Sequence, residues 1–307
     1  MDAIQNSEFQ IRNYQKHDAV KIGEFDELLE LSYLYNPDFV PENIFCAVNF
    51  KDEILGVGHL EPHDSWNLID KTDLAPEFAC KLKAGISLNP CFSSMSNLKA
   101  ALLACLLKRA EEIKIQYPDR KIRVITWLNS NENKQMDFFL SKGFLAYSNS
   151  LVLCYDLTQE IPDVPKPEGV ETVIRALNTE EDLRQYHEAE SIAFDGVIWS
   201  MNLLRWYTGA PEWVQFAAFC EGRFIANVMT WMISEERSAT ENIFVLPGWN
   251  GRGVAKYLIT GALKYLKDRG KSIATLSVSG DNRKAISLYV SLGYRMFGVM
   301  IEVGYDV

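Results

Sequence analysis

The segment "VLPGWNGRGVA", residues 245–255, joins an apolar strand end to closely spaced glycines and the start of a helix. A helix N-terminus presents unpaired backbone N–H groups and the positive end of the helix dipole. Gly251 and Gly253 let the backbone approach a ligand without Cβ atoms, and Ala255 keeps the first helical turn narrow. Arg252 adds a positive charge. The chemistry that this pattern indicates is the binding of an anion, typically phosphate.

Two familiar phosphate loops are compared with this segment first. A Walker loop requires GK[ST], but Gly253 is followed by "VAK", without a Ser or Thr for magnesium. A dinucleotide-binding loop requires a small residue where Lys256 stands, and an acidic residue at the end of the next strand. The first pattern does not fit and the second fits weakly.

A third pattern does fit. The segment resembles the acetyl-CoA loop of the GNAT superfamily of N-acetyltransferases, Gln/Arg-x-x-Gly-x-Gly/Ala after a strand that ends in Val-x-Pro. Gly253 and Ala255 match that pattern, and Asn250 replaces the usual Gln or Arg. Further on, "NRKAISLYVSLGY", residues 282–294, resembles the family's Asn-x-x-Ala-x-x-Leu-Tyr-x-x-x-Gly-Phe/Tyr helix. With two motifs at the family's separation, residues 170–307 are similar to a GNAT domain.

The resemblance implies an acetyl-CoA site without a metal ion. The backbone of residues 243–245 would pair with the pantetheine arm, and residues 250–255 would hold the pyrophosphate. Asn282 either contacts the CoA or caps its own helix. The residues implied in binding are Ile243, Phe244, Val245, Asn250, Gly251, Arg252, Gly253, Val254, Ala255 and Asn282.

The same resemblance implies two catalytic side chains. Tyr289 would protonate the departing CoA thiolate, or else is a packed core tyrosine. Because the nucleophile must be a neutral amine, a carboxylate acting directly or through water would remove its proton. Glu241, on the strand that would pass the thioester, is the candidate, with a plain surface carboxylate as the alternative. Backbone N–H groups near Val245 would polarise the thioester carbonyl.

The elements around these motifs follow from apolar periodicity and turn residues. The predicted class is α/β (α+β), with a mixed, mostly antiparallel sheet flanked by helices in each domain. In the second half we predict strands at 170–177, 214–220, 224–233, 239–245, 272–278 and 294–303, and helices at 180–193, 199–207, 254–269 and 282–292.

The chain of 307 residues is long enough for two domains. The proline-rich segment 158–169, "TQEIPDVPKPEG", predicts a semi-rigid linker between an N-terminal domain, 1–157, and a catalytic C-terminal domain, 170–307. The same order of elements can be traced in both halves, and "FFLSKGF" at 138–144 matches "LYVSLGY" at 288–294. The halves therefore form a diverged repeat, and this tandem arrangement is similar to that of mycothiol synthases.

The first half departs from the pattern at each key position. "PCFSSMSNL" stands for the glycine loop, Glu132 for Asn282 and Phe139 for Tyr289. A carboxylate repels phosphate and a phenyl ring has no proton to donate. We therefore expect this half to be degenerate for catalysis. The alternative is that hydroxyls at a helix N-terminus still hold an anion there, namely those of Ser93, Ser94 and Ser96.

Composition excludes several classes of protein. Apolar residues make up 48% and charged residues 23% of the chain, as in ordinary globular proteins. The net charge of -10 argues against a nucleic-acid partner. The chain start has no basic or apolar leader and no apolar run is long enough for a membrane span, so we expect a cytoplasmic protein. The six cysteines have no CxxC pair, and neither a zinc site nor a disulfide framework is indicated.

The predicted function is N-acetyl transfer from acetyl-CoA to a primary amine of a small molecule or peptide, by direct attack in a ternary complex. The alternative is a non-catalytic acyl-CoA sensor or interaction protein that keeps the fold. The segment at 193–213, rich in Trp and Tyr, either lines an aromatic acceptor pocket or packs on the sheet. The acceptor's identity and the formation of a homodimer are left open.

Overall fold

A computed structural model describes residues 8–93, 95 and 97–307. The contacts within the chain divide it into two compact units. Unit 1 comprises the chain up to Thr126 together with Gly304–Val307, and unit 2 comprises Trp127–Val303. The predicted domains at 1–157 and 170–307 divide the chain by its repeat, whereas the units divide it by contacts, so those domain limits stay a prediction.

Unit 1 contains five strands and three α-helices among its described residues, counting β5 only up to Thr126. In chain order they are β1 (Gln10–Asn13), α1 (Asp18–Gly23), α2 (Glu27–Tyr35), β2 (Ile44–Val48), β3 (Ile54–Pro62), β4 (Ala79–Leu88), α3 (Leu98–Gln116) and β5 (Lys121–Asn129).

Unit 2 begins within β5 and contains the remaining elements. In chain order they are α4 (Asn133–Ser141), β6 (Leu145–Asp156), β7 (Glu171–Arg175), α5 (Glu180–Ala193), α6 (Met201–Thr208), β8 (Val214–Cys220), β9 (Arg223–Met232), β10 (Arg237–Val245), α7 (Val254–Asp268), β11 (Ile273–Ser279), α8 (Arg283–Leu292) and β12 (Arg295–Asp306).

Each unit has a mixed, mostly antiparallel sheet, which confirms the predicted fold class. Unit 1 has the strand order β1-β2-β3-β4-β5, in which only β4 and β5 run parallel. Unit 2 has the order β12-β6-β11-β10-β9-β8-β7, in which β10 and β11 run parallel. In both, the parallel pair is joined by a helix that crosses over the sheet, as parallel pairing requires.

The sheet of unit 2 carries helices on both faces. One face packs against α7 through side chains such as Leu258, Ile259 and Leu263, and the other packs against α5 and α6 through Tyr186 and Leu204. Strand residues alternate between these two cores because successive side chains point to opposite faces. The first core therefore holds α7, and both cores hold β10 between them.

Local sequence signals explain where the helices of unit 2 begin and end. Thr179 and Asp182 form a capping box at the start of α5, each side chain accepting the other's backbone N–H. Gly293 ends α8 with φ +106°, and Gly270 follows α7 with φ +77°, both as left-handed caps. The predicted helix limits at these two glycines are confirmed.

Strand β10 contains the main irregularity of this sheet. Its register with β9 shifts between Glu241 and Phe244, where three steps along β10 face two along β9. Asn242 lies inside this β-bulge with φ +48°, a left-handed conformation that Asn tolerates better than most residues. On its other side, β10 pairs with β11 only over residues 237–239. Beyond that point the two parallel strands splay apart.

The proline-rich segment 158–169 is bound to unit 2. Ile161 is buried in the α7 core, and Lys264 and Lys267 of α7 contact the Asp163 carboxylate and the Gln159 carbonyl. Strand β6, which precedes this segment, pairs with β11 along its whole described register. Unit 2 therefore includes a strand from the first half of the repeat.

Candidate active site

A cavity of about 760 Å³ lies beside the end of β10, beyond the residues that pair with β11. It is formed by the end of β10, the loop before α7, the first turns of α7 and α8, and the apolar face of α8. Its lining residues are Ile243, Phe244, Val245, Trp249, Asn250, Gly251, Gly253, Val254, Ala255, Lys256, Asn282, Lys284, Ala285, Leu288 and Tyr289. The predicted binding residues thus surround one space, except Arg252, and Tyr289 joins them.

The end of β10 offers backbone groups to this cavity. Residues beyond 239 have left the parallel ladder with β11, so the N–H and C=O groups on that edge lack a strand neighbour in the described chain. Unpaired backbone groups of this kind require a hydrogen-bond partner when they are covered. An extended ligand with amide groups, laid along residues 243–245, would supply that partner.

The loop that connects β10 to α7 is shaped by glycines. Gly248, Gly251 and Gly253 all have φ near +80°, between +77° and +87°, which only glycine adopts without strain. Gly253 is the N-cap of α7 and has no side chain to satisfy the first N–H groups of that helix. The first turn of α7 therefore presents free donors and the positive end of the dipole to the cavity.

Arg252 is not among the residues that line the cavity. Its guanidinium lies 4.7 Å from the centre of the Trp249 ring, in a cation–π arrangement. Trp249 itself lines the cavity. The arginine therefore orders the indole that forms part of the wall, and its role in holding an anion stays a prediction.

Asn282 begins α8 at the opposite side of the cavity. Its Oδ1 accepts the Ala285 N–H at 3.1 Å, so the capping role is present. Because the cap uses only Oδ1, the Nδ2 group of the same side chain remains as a donor toward a ligand. Capping and ligand binding are therefore compatible at this residue.

Two lysines in the lining were missed by sequence reasoning. Lys256 lies in the first turn of α7 and Lys284 in the first turn of α8. Cations at a helix N-terminus oppose the helix dipole and destabilise the isolated helix. A bound polyanion would reverse that effect. A lysine in the first turn of each of two helices is therefore the pattern in the sequence that could have indicated these two residues.

Glu241 lies in the wedge between the splayed strands. Its Oε1 accepts the backbone N–H of Ser277 on β11 at 3.1 Å, replacing the lost ladder bond. Solvent still reaches part of the side chain. Burial raises the pKa of Glu241 from its ordinary 4.5 to about 8, and the Ser277 N–H opposes this rise. A carboxyl group with this pKa is a strong base once ionised, as a proton acceptor from an amine requires.

Tyr289 is the buried end of the cavity, with its side chain 6% exposed. Burial, and then the charge of Glu241, raise the pKa of this phenol well above its usual range. The hydroxyl therefore keeps its proton at neutral pH and remains a donor. It can stabilise negative charge that develops on a neighbouring sulfur atom by donating a hydrogen bond, or its proton, to that atom.

The aromatic segment before β8 packs on the face opposite α7. Trp199 and Tyr207 stack at 4.5 Å between ring centres, and Tyr207 lies 5.0 Å from Trp231 of β9. These rings form a partly exposed wall, since Trp199 and Tyr207 are only half-buried. Packing and an acceptor pocket are both compatible with this arrangement.

In the first half of the chain the corresponding positions are occupied differently. Glu132 accepts the N–H of Asn129 with its own carboxylate, and Phe139 is packed between Phe138 and Phe144. Ser93 is exposed, with its hydroxyl bonded to the Pro90 carbonyl, whereas Ser94 and Ser96 lie outside the described residues. The loss of catalysis in this half stays a prediction.

The described residues contain no cluster of three or more His, Cys, Asp or Glu side chains that could hold a metal ion. All six cysteines are free thiols. In the part of the chain that the structure covers, no helix has the length and apolar character of a membrane span.

Comparison with known sequences gives a family match in unit 2. Residues 176–294 match the model of the acetyltransferase (GNAT) family. An uncharacterised N-acetyltransferase of Methanocaldococcus jannaschii is 28% identical over 155 residues, 46% of this chain and 66% of that protein. The mycothiol acetyltransferase of Rhodococcus erythropolis is 25% identical over 189 residues, 56% of this chain and 62% of that protein. The matched stretches span less than two thirds of either relative.

Comparison with solved structures concerns the whole fold. A tandem GNAT protein from the clavulanic acid biosynthesis pathway superposes with a TM-score of 0.68 at 13% identity, covering 97% of this chain and 98% of that one. A GCN5-related N-acetyltransferase from Sphaerobacter thermophilus gives 0.64 at 16% identity, covering 97% and 95%. The predicted tandem arrangement of the fold is confirmed by these likenesses.

Proposed function

We propose that this chain, whose residues 176–294 belong to the acetyltransferase (GNAT) family, transfers an acetyl group from acetyl-CoA to a primary amine. Transfer of acetyl groups is the activity of the family. The donor, the amine acceptor of a small molecule or peptide, and the mechanism below are our proposal for this protein.

The observation that carries the proposal is the cavity at the end of β10, beside the first turns of α7 and α8. It places a free strand edge, a glycine-shaped helix N-terminus and two lysines around one elongated space. A strand edge suits the amides of a pantetheine arm, and the N-terminus of α7 suits a pyrophosphate. Lys256 and Lys284 add charge for phosphate groups.

In the proposed reaction the amine nitrogen attacks the thioester carbonyl carbon while both substrates are bound. Backbone N–H groups near Val245 stabilise the oxyanion that forms. The carboxylate of Glu241 accepts the proton released by the amine, through a water molecule. As the carbon–sulfur bond breaks, the hydroxyl of Tyr289 donates its proton to the CoA thiolate. The products are an N-acetyl amine and CoA.

Binding is tested first, by the thermal unfolding of the full chain with and without acetyl-CoA. Because a ligand that binds only the folded state stabilises it, we expect the unfolding temperature to rise with acetyl-CoA concentration. Acetyl-CoA with its adenosine 3′-phosphate removed serves as the matched ligand control. No rise at any concentration would exclude both the enzyme and the acyl-CoA sensor.

Turnover is tested by CoA release with a panel of amines, including small-molecule amines and peptide N-termini. The enzyme is expected to release CoA only when an amine that fits is present. Saturable acetyl-CoA binding without release for any amine would instead support the sensor.

A further inference from the structure

A row of polar side chains crosses the sheet of unit 2 and ends at the β10 bulge. Arg175 Nε donates to Gln215 Oε1 at 2.8 Å, and Gln215 Nε2 donates to Asn227 Oδ1 at 2.9 Å. Asn227 Nδ2 then donates to the backbone carbonyl of Asn242 at 2.6 Å. The four residues stand on β7, β8, β9 and β10, so each strand contributes one member.

The donor-to-acceptor direction of the hydrogen bonds in this row is fixed by its first and last members. Arg175 has only donors and the Asn242 carbonyl is only an acceptor, so each amide between them has a single orientation that satisfies every bond. Gln215 and Asn227 are fully buried, at 0% exposure. A buried amide that lost its hydrogen-bond partner would strongly destabilise the fold. The side chains in the row are therefore restricted to the geometry that keeps every bond.

A second bond holds the side chain at the bulge. Asn242 Nδ2 donates to Glu190 Oε1 on α5 at 2.9 Å, and Glu190 is 1% exposed. Asn242 is therefore held by its carbonyl from β9 and by its amide from α5. Both bonds are made while its backbone stays at φ +48°.

Unit 1 provides the contrasting case. Ser87 and Phe244 lie equally far before Pro90 and Pro247, and their partners on the neighbouring strands are Val57 and Asn227. An apolar valine thus stands in unit 1 where unit 2 has the buried asparagine. Along the described strands β3 and β4, the register runs without a shift.

We propose that Asn227, Gln215 and Glu190 are positioning residues that lock the β10 bulge and thereby set the strand edge on which acetyl-CoA lies. The bulge turns residues 243–245 toward the cavity, and it exists only while the carbonyl of Asn242 has its donor. Without the donor, the extra residue of β10 is free to shift its register against β9. This inference rests on the proposed binding of acetyl-CoA to that edge.

The decisive variant is Asn227→Asp. It is nearly isosteric and keeps the acceptor for Gln215, but it places a carboxylate oxygen against the Asn242 carbonyl in place of the N–H donor. Asn227→Leu is the second variant, since it removes the donor without adding charge. Tyr33→Phe in unit 1 is the matched control, because it removes one buried hydrogen bond, that of Tyr33 to His59, away from the bulge.

Three readouts are measured on the full chain: the Kd for CoA by calorimetry, the steady-state kcat and KM for acetyl-CoA, and hydrogen exchange of the amides at 243–245. Both Asn227 variants are expected to raise Kd and the KM for acetyl-CoA about tenfold or more, and to speed exchange at these amides. Tyr33→Phe is expected to leave all three readouts unchanged. A purely structural role would lower kcat with the folded fraction and leave KM and Kd as they are.

Unchanged Kd and unchanged exchange in both Asn227 variants would overturn the inference. If the wild-type chain itself binds no CoA, the proposed function fails, and the exchange rates alone decide the inference. Faster exchange confined to the bulge would then still support the lock, and wild-type exchange would reject it.

Discussion

Strand β10 of unit 2 and strand β4 of unit 1 occupy the same place in their sheets, but β10 has one extra residue in its register with the neighbouring antiparallel strand. β4 pairs with β3 in a continuous register, whereas β10 carries the bulge at Asn242. Both strands leave their parallel neighbour part-way along, β4 after Lys83 and β10 after Ala239. The bulge, and not the separation of the parallel strands, therefore distinguishes the strand that lines the cavity of unit 2.

The two halves of the chain also differ in the side chains at the positions that line the cavity. Tyr289 corresponds to Phe139 and Asn282 to Glu132, yet both phenyl-bearing residues are equally buried in their cores, at 6% and 4% exposure. Packing is therefore kept in both halves while the polar chemistry differs. A fold of this kind can persist after its site is lost, because the core depends on volume and burial alone.

The largest effect is expected for Glu241→Gln, which removes the proposed proton acceptor. We expect the rate of acetyl transfer at saturating substrates to fall roughly 100-fold, in the lower part of the range for lost general bases. Because the pKa of Glu241 is raised to about 8, the wild-type rate should rise with pH through that value. In the variant, the rate should rise with pH only through the deprotonation of the amine acceptor itself.

Unfolding provides an independent check of the same carboxyl group. Folding raises the pKa of Glu241 from 4.5 to about 8. The contribution of this group to the free energy of unfolding is therefore fully present below pH 4.5 and is lost as the pH rises through about 8. Glu241→Gln should therefore unfold at a higher temperature than the wild type at pH 9, with a smaller difference at pH 5. Equal differences at both values would contradict the raised pKa.

Gly253→Asp is expected to act next most strongly, on binding. It places a carboxylate at the N-terminus of α7 and forces a non-glycine residue to φ +80°. The Kd for acetyl-CoA should rise roughly 100-fold, and isothermal titration measures it. Gly253→Ala separates the two causes, because its Cβ meets nothing within 4 Å. In unit 1, Ser93→Asp should change the Kd less than about twofold.

Tyr289→Phe and Phe139→Tyr form a reciprocal pair. The first should lower kcat about tenfold with little change in KM, as expected for a group that acts only on the leaving thiolate. The second adds a hydroxyl to a buried ring cluster, so it should lower the free energy of unfolding by about 1–3 kcal/mol without raising the rate. A gain of activity from Phe139→Tyr would show that the first half of the repeat retains a site.

The smallest effects are expected for Lys256→Ala and Lys284→Ala. Each removes one partly solvated charge from the cavity, so KM for acetyl-CoA should rise about threefold to fivefold. The effect should shrink at high ionic strength because salt screens such charges. Lys264→Ala, on the exposed part of α7 beside Asp163, is the control and should leave KM unchanged.

The sequence predicted the parts of this molecule that depend on local patterns. Glycine spacing located the loop before α7, and apolar periodicity located α5, α7 and α8 close to their observed limits. The polar row from Arg175 to Asn242 could not be found this way, because its members are far apart in sequence and meet only through strand register. The role of Lys284 likewise depends on the approach of α8 to β10.

Unit 1 combines residues from both ends of the sequence, which are synthesised at different times. Unit 1 includes the last residues of the chain, where Asp306 forms ion pairs with Lys121 and Arg123 and the Val307 N–H bonds to the Ile122 carbonyl. Residues 304–307 are translated after residues 127–303. The half that is translated first therefore completes its sheet only once those later residues have been made, and the nascent chain carries an unfinished strand edge until then.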